Sequence, residues 1–220
     1  MIVLVACEES QEVCKAFRDK GHEAYSCDIV ECSGGHPEWH INFDCIDVMW
    51  SSPFFWTVDG QMHCVKKWDL IIAHPPCTYL SVAGNSWFNI DKYGDKAVER
   101  YKLREEAIDF FLKIAYHPCE KIAIENPIGC MSTRYRKPDQ IIQPYQFGHP
   151  CRKPTCLWLK NLPPLKPTNI VEPIVIKYKN GKGTDDTWHM DTLRLPAEER
   201  RKARSKTFHG IALAMADQWG

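Results

Sequence analysis

The sequence predicts an α/β fold built on a doubly wound, mostly parallel sheet, and two alternations of strand and helix indicate it. The first is a strand, a helix and a second strand within residues 2–29. The second is a pair of short apolar runs on either side of one long amphipathic helix. Because parallel strands need a crossover connection, which a helix usually supplies, both alternations favour parallel pairing. The chain has 220 residues, 44% of them hydrophobic, and can bury one sizeable core.

The first alternation opens on a β-branched run, Ile2–Ala6, which has the length of a strand. Ser10 is expected to cap the helix that follows, and this helix is expected to end near Gly21. A second strand is predicted over 23–29. Asp28 closes that strand about twenty residues beyond the first turn, where an acid commonly binds ribose hydroxyls in nucleotide-binding sheets.

The second alternation carries two reactive side chains. A strand over 68–73 runs into the Pro-Pro turn that precedes Cys77, and an apolar run over 122–124 leads into Glu125. The helix between them is predicted over 97–117 from the spacing of its apolar residues. A right-handed crossover would bring both strand ends to one edge of the sheet, so Cys77 and Glu125 should lie close together.

Cys77 is expected to be held in a defined direction. The fixed φ angles of Pro75 and Pro76 leave the turn little conformational freedom. Thiolate is a strong carbon nucleophile, so an exposed thiol at this place is interpreted as a covalent catalyst. The alternative is a turn whose cysteine only packs as a small apolar residue.

These segments resemble the DNA cytosine-5 methyltransferases, whose nucleophile lies in a Pro-Cys turn and whose acid lies in a Glu-Asn-Val segment. The matching residues are Pro76-Cys77 and Glu125-Asn126, with Pro127 in place of valine. The tail, 207–220, is similar to the family's final motif, which folds back beside the first strand. The resemblance implies a Rossmann-like methyltransferase sheet, S-adenosylmethionine as cofactor and DNA as partner.

The resemblance also implies a mechanism, in which the Cys77 thiolate adds to carbon 6 of cytosine. Glu125 would be protonated, with a pKa raised by burial, and would donate to ring nitrogen 3. Asn126 would orient that carboxyl group or the turn. A base within a duplex would have to be flipped out of the stack.

The cofactor is expected against the ends of the first strands. Asp28 is the candidate for the ribose hydroxyls, and Asp44, near a short strand or turn over 41–44, is the candidate for the adenine amino group. The family's Phe-x-Gly-x-Gly loop is absent, because the first strand is followed by Cys-Glu-Glu-Ser. The predicted cofactor-binding residues are Ala6, Cys7, Glu8, Ser10, Asp28, Asp44, His74 and Pro75.

Charge is distributed unevenly, although the net charge is zero. Residues 1–60 hold 11 acidic and 3 basic residues, whereas 129–167 holds 7 basic residues and one acid. This second segment also contains aromatic residues, among them Tyr135, Phe147 and Trp158, which could stack on bases while the cations bind phosphates. The predicted nucleic-acid-binding residues are Arg134, Arg136, Lys137, Arg152 and Lys153.

The chain is accordingly divided into a catalytic core, 1–128 and 168–220, and a basic, aromatic insert, 129–167. A connecting loop around a short hairpin is the alternative for the insert. Because a long target-recognition domain is missing, single-stranded nucleic acid or a free nucleotide remains open as substrate beside duplex DNA.

The rest of the chain is less informative. Residues 31–61 are expected to be rich in loops, and 177–188 to form a polar, Gly-rich turn. A last helix is predicted after Pro196, burying Phe208, Ile211, Met215 and Trp219 on one face. Its basic first part is interpreted either as a solvated face or as a surface for phosphate.

Several classes are disfavoured. Without a run of about 18 apolar residues or a basic leader before its first apolar segment, the chain is expected to be cytoplasmic, with no membrane partner. Its 11 cysteines are scattered through apolar segments, so reduced thiols are expected. Zinc ligation by cysteines and histidines within 27–45 is disfavoured because a C-x-x-C pair is absent there, and no metal is predicted.

Two alternatives to cytosine-5 transfer stay open. One is a non-catalytic nucleotide or nucleic-acid binding protein with a methyltransferase-like fold, and the other is a different one-carbon transfer to a pyrimidine nucleotide. Amino-methyltransferases of DNA also have a Pro-Pro turn, preceded by Asp, Asn or Ser and followed by an aromatic residue. His74 and Cys77 at those two places disfavour that class.

Overall fold

A seven-stranded sheet forms the centre of the computed structural model, which describes residues 1–51, 53–177 and 184–220. The strands are β1 Ile2–Ala6, β2 Glu23–Cys27, β3 His40–Ile41, β4 Phe54–Trp56, β5 Met62–Cys64, β6 Leu70–Ala73, β7 Lys121–Pro127, β8 Gln140–Ile142, β9 Thr155–Lys160, β10 Val175–Lys177 and β11 Thr184–Asp186. The helices are α1 Glu12–Asp19, α2 Cys45–Trp50, α3 Ile90–Tyr93, α4 Asp95–Ala115, α5 Met131–Arg134, α6 Thr187–Leu193, α7 Ala197–Ser205 and α8 His209–Trp219.

The strand order of the central sheet is β3-β2-β1-β6-β7-β9-β8. The first five strands in this order are parallel, and β9 runs antiparallel to both of its neighbours. The predicted class, an α/β fold with a mostly parallel sheet, is confirmed. The hairpins β4–β5 and β10–β11 lie outside this sheet.

The first crossover forms as predicted, except for its helix cap. Ser10 does not cap α1; instead the Glu8 carboxylate accepts hydrogen bonds from the backbone N–H groups of Val13 (2.7 Å) and Cys14 (3.1 Å). The glutamate side chain is longer than that of serine and reaches the N–H groups of the first turn from a position two residues earlier in the chain. The helix therefore begins at Glu12, two residues after the predicted cap.

The second crossover places β7 parallel to β6, as predicted. Glu125 and Asn126 lie within β7 rather than after it, because this strand continues to Pro127 in its pairing with β9. The connecting helix α4 buries Ile108 and Phe111 against the sheet. Tyr101, in the first half of α4, is exposed, and its ring makes a T-shaped contact with Phe88.

Both faces of the central strands are buried, as the apolar sequence of a parallel strand requires. On β1, Leu4 and Ala6 belong to the cluster that contains α4, whereas Val3 and Val5 belong to the cluster with α1 and α8. The C-terminal helix α8 packs on α1 and so lies beside the first strand.

Two stretches differ from the sequence expectations, and a third falls partly outside the described residues. Residues 31–61 contain α2 and the strand β4, which begins a hairpin that turns at Gly60. The last helix is two helices, because Lys206 and Phe208 both adopt extended backbone angles between α7 and α8. Residues 178–183, the middle of the predicted Gly-rich turn, lie outside the described residues.

The segment 129–167, expected as an insert, contributes β8 and β9 to the central sheet. Phe147 and Trp158 are therefore core residues, each only 2% exposed, and do not offer their rings for stacking on bases. The indole N–H of Trp158 donates to the backbone carbonyl of Arg136, which satisfies its one polar group inside the core.

No helix among the described residues is long and apolar enough to cross a membrane.

Candidate active site

Loops at the carboxyl ends of β1, β2 and β6 converge on a cavity of about 560 Å³. Open α/β sheets bind ligands at this edge, and the volume is that of a small-molecule site. Ala6 and Pro75 are buried behind the cavity wall, and Glu125 and Asn126 do not line it. The sequence-predicted residues that do line it are Cys7, Glu8, Ser10, Asp28, Asp44, His74, Pro76 and Cys77.

The turn that carries Cys77 is tied to the neighbouring strands. The backbone N–H of His74 donates to the Ala6 carbonyl (2.9 Å), and the Asn126 side-chain N–H donates to the Pro75 carbonyl (2.7 Å). The turn is thus held from β1 on one side and from β7 on the other. Because Pro75 has no N–H and a fixed φ, these two bonds leave the direction of the turn well defined.

Cys77 is exposed in the cavity wall. Nearby protein atoms still remove much of its solvent, so burial raises the pKa of its thiol above the ordinary value of 9.0, and the Glu125 carboxylate raises it further. The Lys153 ammonium acts in the opposite direction and lowers this pKa. The resting thiol is therefore protonated near neutral pH and needs a base or a ligand-induced change to become a thiolate.

Glu125 is bonded to His74, with 2.9 Å between a carboxylate oxygen and Nδ1. Desolvation opposes ionisation, but the hydrogen bond and charge of His74 outweigh it, so the pKa of Glu125 is lowered from 4.5. The same contact raises the pKa of His74 above 6.5 against its own desolvation. The pKa of Glu125 is therefore shifted in the direction opposite to the expected one, because the His74 imidazole favours the ionised carboxylate.

His74 has one hydrogen-bonding position left. Its other ring nitrogen, Nε2, is buried without a partner in the part of the chain that the structure describes, and His74 lines the cavity. A buried polar atom without a partner is costly unless a ligand or a water molecule completes it. The imidazole is therefore suited to contact a bound molecule.

The loop after β1 adopts its turn without glycine. Cys7 (φ 59°) and Gln11 (φ 58°) both lie in the left-handed region, which usually favours glycine. Gln11 is fully buried, and its side-chain amide donates to the hydroxyl of Ser26 and the carbonyl of His36. These hydrogen bonds offset the cost of the positive φ angle at Gln11, which a glycine would adopt without strain.

Two acids and two apolar side chains form the part of the cavity near β2 and β3. Burial raises the pKa of Asp28, and Asp44 caps α2 by accepting from the Ile46 N–H (2.8 Å). Ile29 and Phe43, which sequence reasoning missed, line the cavity and are exposed. Ile29 follows Asp28 in the sequence, and Phe43 precedes Asp44. Their positions next to the two predicted acids could have indicated that they line the cavity.

The basic residues predicted to bind nucleic acid are dispersed. Arg134 is ion-paired with Glu105, and Arg136 is ion-paired with Asp139 (2.7 Å). Lys137 is exposed. None of these side chains, nor Arg152 or Lys153, lines the cavity.

Arg152 and Lys153 lie nearer the active site. Arg152 contacts Asp186 at 4.0 Å, and the Lys153 ammonium donates to the Arg204 carbonyl (2.7 Å). The charge of Lys153 reaches both Cys77 and Glu125 and lowers the pKa of each.

Within 1–51, 53–177 and 184–220, no group of three or more metal-ligating side chains is arranged to hold an ion. Two residues considered as zinc ligands have protein partners instead. His40 Nδ1 lies 2.9 Å from the Ser26 hydroxyl, and the Cys27 thiol donates to the Phe43 carbonyl (3.3 Å).

No protein-family model and no curated protein matches this sequence. Among solved structures, the chain is similar to a prophage-encoded protein of E. coli described as a candidate DNA modification methyltransferase, with a TM-score of 0.46 and 15% sequence identity. The similarity covers 90% of this chain and 56% of that one, so this chain spans little more than half of that protein's length. A similarity of this size carries no argument about activity, and any functional conclusion depends on the geometry of the cavity.

Proposed function

We propose that this protein transfers a methyl group from S-adenosylmethionine to carbon 5 of cytosine in DNA through a covalent adduct with Cys77. One observation carries the proposal: the Cys77 side chain opens into the same cavity as Asp28 and Asp44. A nucleophile and a candidate nucleotide pocket at one sheet edge are what this reaction needs.

The volume of the cavity, about 560 Å³, and its acidic lining support this cofactor. Asp28 would accept the ribose hydroxyls, and Asp44 the adenine amino group, between the apolar side chains of Ile29 and Phe43. The carboxyl group of Glu8 would lie towards the amino acid end. S-Adenosylmethionine carries a sulfonium and an ammonium group against one carboxylate, so an acidic wall favours it electrostatically. When bound, it supplies an electrophilic methyl group.

The side chains of this protein would activate the base. The Cys77 thiolate adds to carbon 6, and a proton from the His74–Glu125 pair neutralises ring nitrogen 3, which turns carbon 5 into an enamine carbon. After carbon 5 is alkylated, a water molecule takes its proton, and the electron pair of that C–H bond expels sulfur from carbon 6 by β-elimination. Cys77 leaves as the thiolate, and ring nitrogen 3 returns its proton to the His74–Glu125 pair.

Cys77 can reach carbon 6 only if the base leaves the helix. Within a stacked duplex neither face of carbon 6 is accessible, so the target cytosine would be flipped into the cavity or presented by a single strand. The cost of unstacking is a few kcal/mol, least for a base that is already unpaired.

Mechanism-based trapping tests the proposal. Fluorine at carbon 5 cannot leave as a proton does, so a 5-fluorocytosine oligonucleotide should accumulate as an adduct with Cys77 in the presence of labelled S-adenosylmethionine. The adduct should disappear in Cys77→Ala and persist in Cys64→Ala, because Cys64 is an exposed thiol on β5 that does not line the cavity. Label transferred to DNA equally well by Cys77→Ala would exclude the covalent mechanism.

A second candidate function is favoured by one observation at the first loop. Glu8 already accepts the N–H groups at the start of α1, so the positive end of this helix is not available to a ligand carboxylate. A non-catalytic nucleotide or nucleic-acid binding protein with the same fold fits that arrangement. Calorimetry separates the two, since such a protein would show no uptake of S-adenosylmethionine.

A further inference from the structure

Helix α7 forms a basic wall of the cavity. Its cavity-lining residues are Ala197, Arg200, Arg201, Lys202, Arg204 and Ser205. Most of them recur at steps of three and four, so they share one helical face. The two acids of α7, Glu198 and Glu199, do not line the cavity.

The cations of this wall are poorly compensated. Arg201 lies 3.9 Å from Glu198, and the side chains in this pair are 69% and 80% exposed, so it contributes little. Arg200 donates to the Leu193 carbonyl (3.3 Å), which offers no full negative charge.

Arg204 shows the same shortage of negative charge. Its side chain donates to the Thr192 hydroxyl (2.9 Å). Burial lowers the pKa of Arg204, and repulsion from Arg200 lowers it further. An anion entering this face would relieve that repulsion.

A second part of the cavity wall is acidic, with Glu8, Glu9, Asp28 and Asp44 at the sheet edge. A phosphate group would be repelled there and attracted to α7. A ligand with hydroxyl or cationic groups would instead be attracted to the acids. The cavity therefore offers one region for cationic or hydroxyl groups and another for phosphates, and Cys77 lines the same cavity.

We infer that α7, through Arg200, Arg201 and Lys202, binds the phosphate groups adjacent to the nucleotide that Cys77 attacks. This inference rests on the proposed function for its substrate and replaces the segment 129–167 as the principal phosphate contact. The phosphates could belong to a nucleic-acid strand or to a free nucleotide, and their chemistry is the same.

The test measures binding without cofactor and without turnover. Fluorescence anisotropy with a labelled cytosine-containing oligonucleotide, single-stranded and duplex, is followed over a range of salt concentrations, with dCMP as competitor. Two variants neutralise α7: the triple variant Arg200→Gln/Arg201→Gln/Lys202→Gln, and the double variant Arg201→Gln/Lys202→Gln. The double variant keeps the Arg200 contact with Leu193 and so guards against local unfolding of α7.

A triple variant on other surfaces serves as the control, with Lys66, Lys102 and Lys113 changed to glutamine. These exposed lysines do not line the cavity, and they match the charge change. The triple α7 variant should lose about tenfold or more in affinity at low salt, and its plot of log affinity against log salt should flatten by roughly two to three units. The double variant should flatten it by about two, and the control should follow the wild type.

Competition by dCMP at concentrations near those of oligonucleotide phosphate would assign the site to a free nucleotide, and weak competition would assign it to a strand. Unchanged affinity and salt dependence in both α7 variants would overturn the inference, even if 5-fluorocytosine trapping at Cys77 succeeds. The inference would also be overturned if the double variant Arg134→Gln/Arg136→Gln lost more affinity than the α7 variants. Failure of the trapping experiment alone would instead count against the proposed function, since binding is measured separately.

Discussion

The imidazole Nδ1 of His74 lies 2.9 Å from a carboxylate oxygen of Glu125, although 51 positions separate the two residues in the sequence. The pair joins the ends of β6 and β7 at the base of the turn that carries Cys77. Removing one partner of a buried charged pair leaves the other without compensation, which is more costly than losing both. The pair therefore contributes to folding as well as to the proposed proton transfer.

Glu125→Gln should slow trapping of 5-fluorocytosine on the order of 100-fold or more. The neutral amide would no longer raise the pKa of His74, so the imidazole would hold less of the proton that ring nitrogen 3 needs. Binding of S-adenosylmethionine should change little, since Glu125 does not line the cavity. Trapping rate and calorimetric affinity, measured on the same preparation, separate the two effects. Glu105→Gln is the control, because that carboxylate pairs with Arg134 on the surface.

The stability of the pair should depend on pH in a defined direction. The pKa of Glu125 is lowered from 4.5, so its contribution is complete above pH 4.5 and is lost as the pH falls through its lowered pKa. The pKa of His74 is raised from 6.5, so its contribution is complete below pH 6.5 and is lost as the pH rises through the raised pKa. The contributions of Glu125 and His74 are therefore both complete between pH 4.5 and pH 6.5.

Urea unfolding at several pH values measures this dependence. The difference in free energy of unfolding between wild type and Glu125→Gln should be greatest, at about 3 kcal/mol, between pH 4.5 and 6.5. It should decline as the pH rises beyond neutrality. A difference that stays constant from pH 5 to pH 9 would show that Glu125 does not hold a proton on the imidazole in the folded protein.

Lys153→Gln should make Cys77 less reactive. Without this ammonium, the pKa of the Cys77 thiol rises further, and the thiolate fraction at pH 8 falls. Alkylation by iodoacetamide, followed by mass spectrometry, should be several-fold slower at Cys77, on the order of the fall in thiolate fraction. The exposed thiol of Cys64 reports on any general change in the same sample. Equal rates at Cys77 in both proteins would show that Lys153 does not act on it.

Glu8→Ala should destabilise the protein by roughly 1–2 kcal/mol, because two N–H groups at the start of α1 lose their acceptor. Ser10→Ala should cost much less, since its hydroxyl makes no capping bond to α1. Thermal or urea unfolding of the two variants compares the caps directly. A larger loss of stability in Ser10→Ala than in Glu8→Ala would show that Ser10 caps α1, as the sequence pattern predicts.

The strands with the strongest apolar runs could be predicted from sequence. β1, β6 and residues 122–124 of β7 are apolar and almost entirely buried, and their order along the chain left parallel pairing as the simplest solution. The convergence of Cys77 with the acids at the other strand ends followed from that topology. Cys77 lines the cavity together with Asp28 and Asp44, whereas Glu125 does not line it and is bonded to His74.

Other features were too short or too distant in sequence to predict. Helix α2 has only 6 residues, and the hairpin strands β4 and β5 have 3 each, below the length at which periodicity is informative. The Asp59-Gly60 pair is a known hairpin signal and could have located that turn. The ionised state of Glu125 could not be predicted, because its partner is fixed only by the pairing of β6 with β7.

The bond from Asn126 to the Pro75 carbonyl has a wider consequence. It joins β7 directly to the main chain two residues before Cys77. The distance between the Cys77 thiol and the His74–Glu125 pair is therefore set by the pairing of β6 with β7. Such a site is preorganised: it exists before any ligand arrives, and a substrate need spend none of its affinity on assembling it.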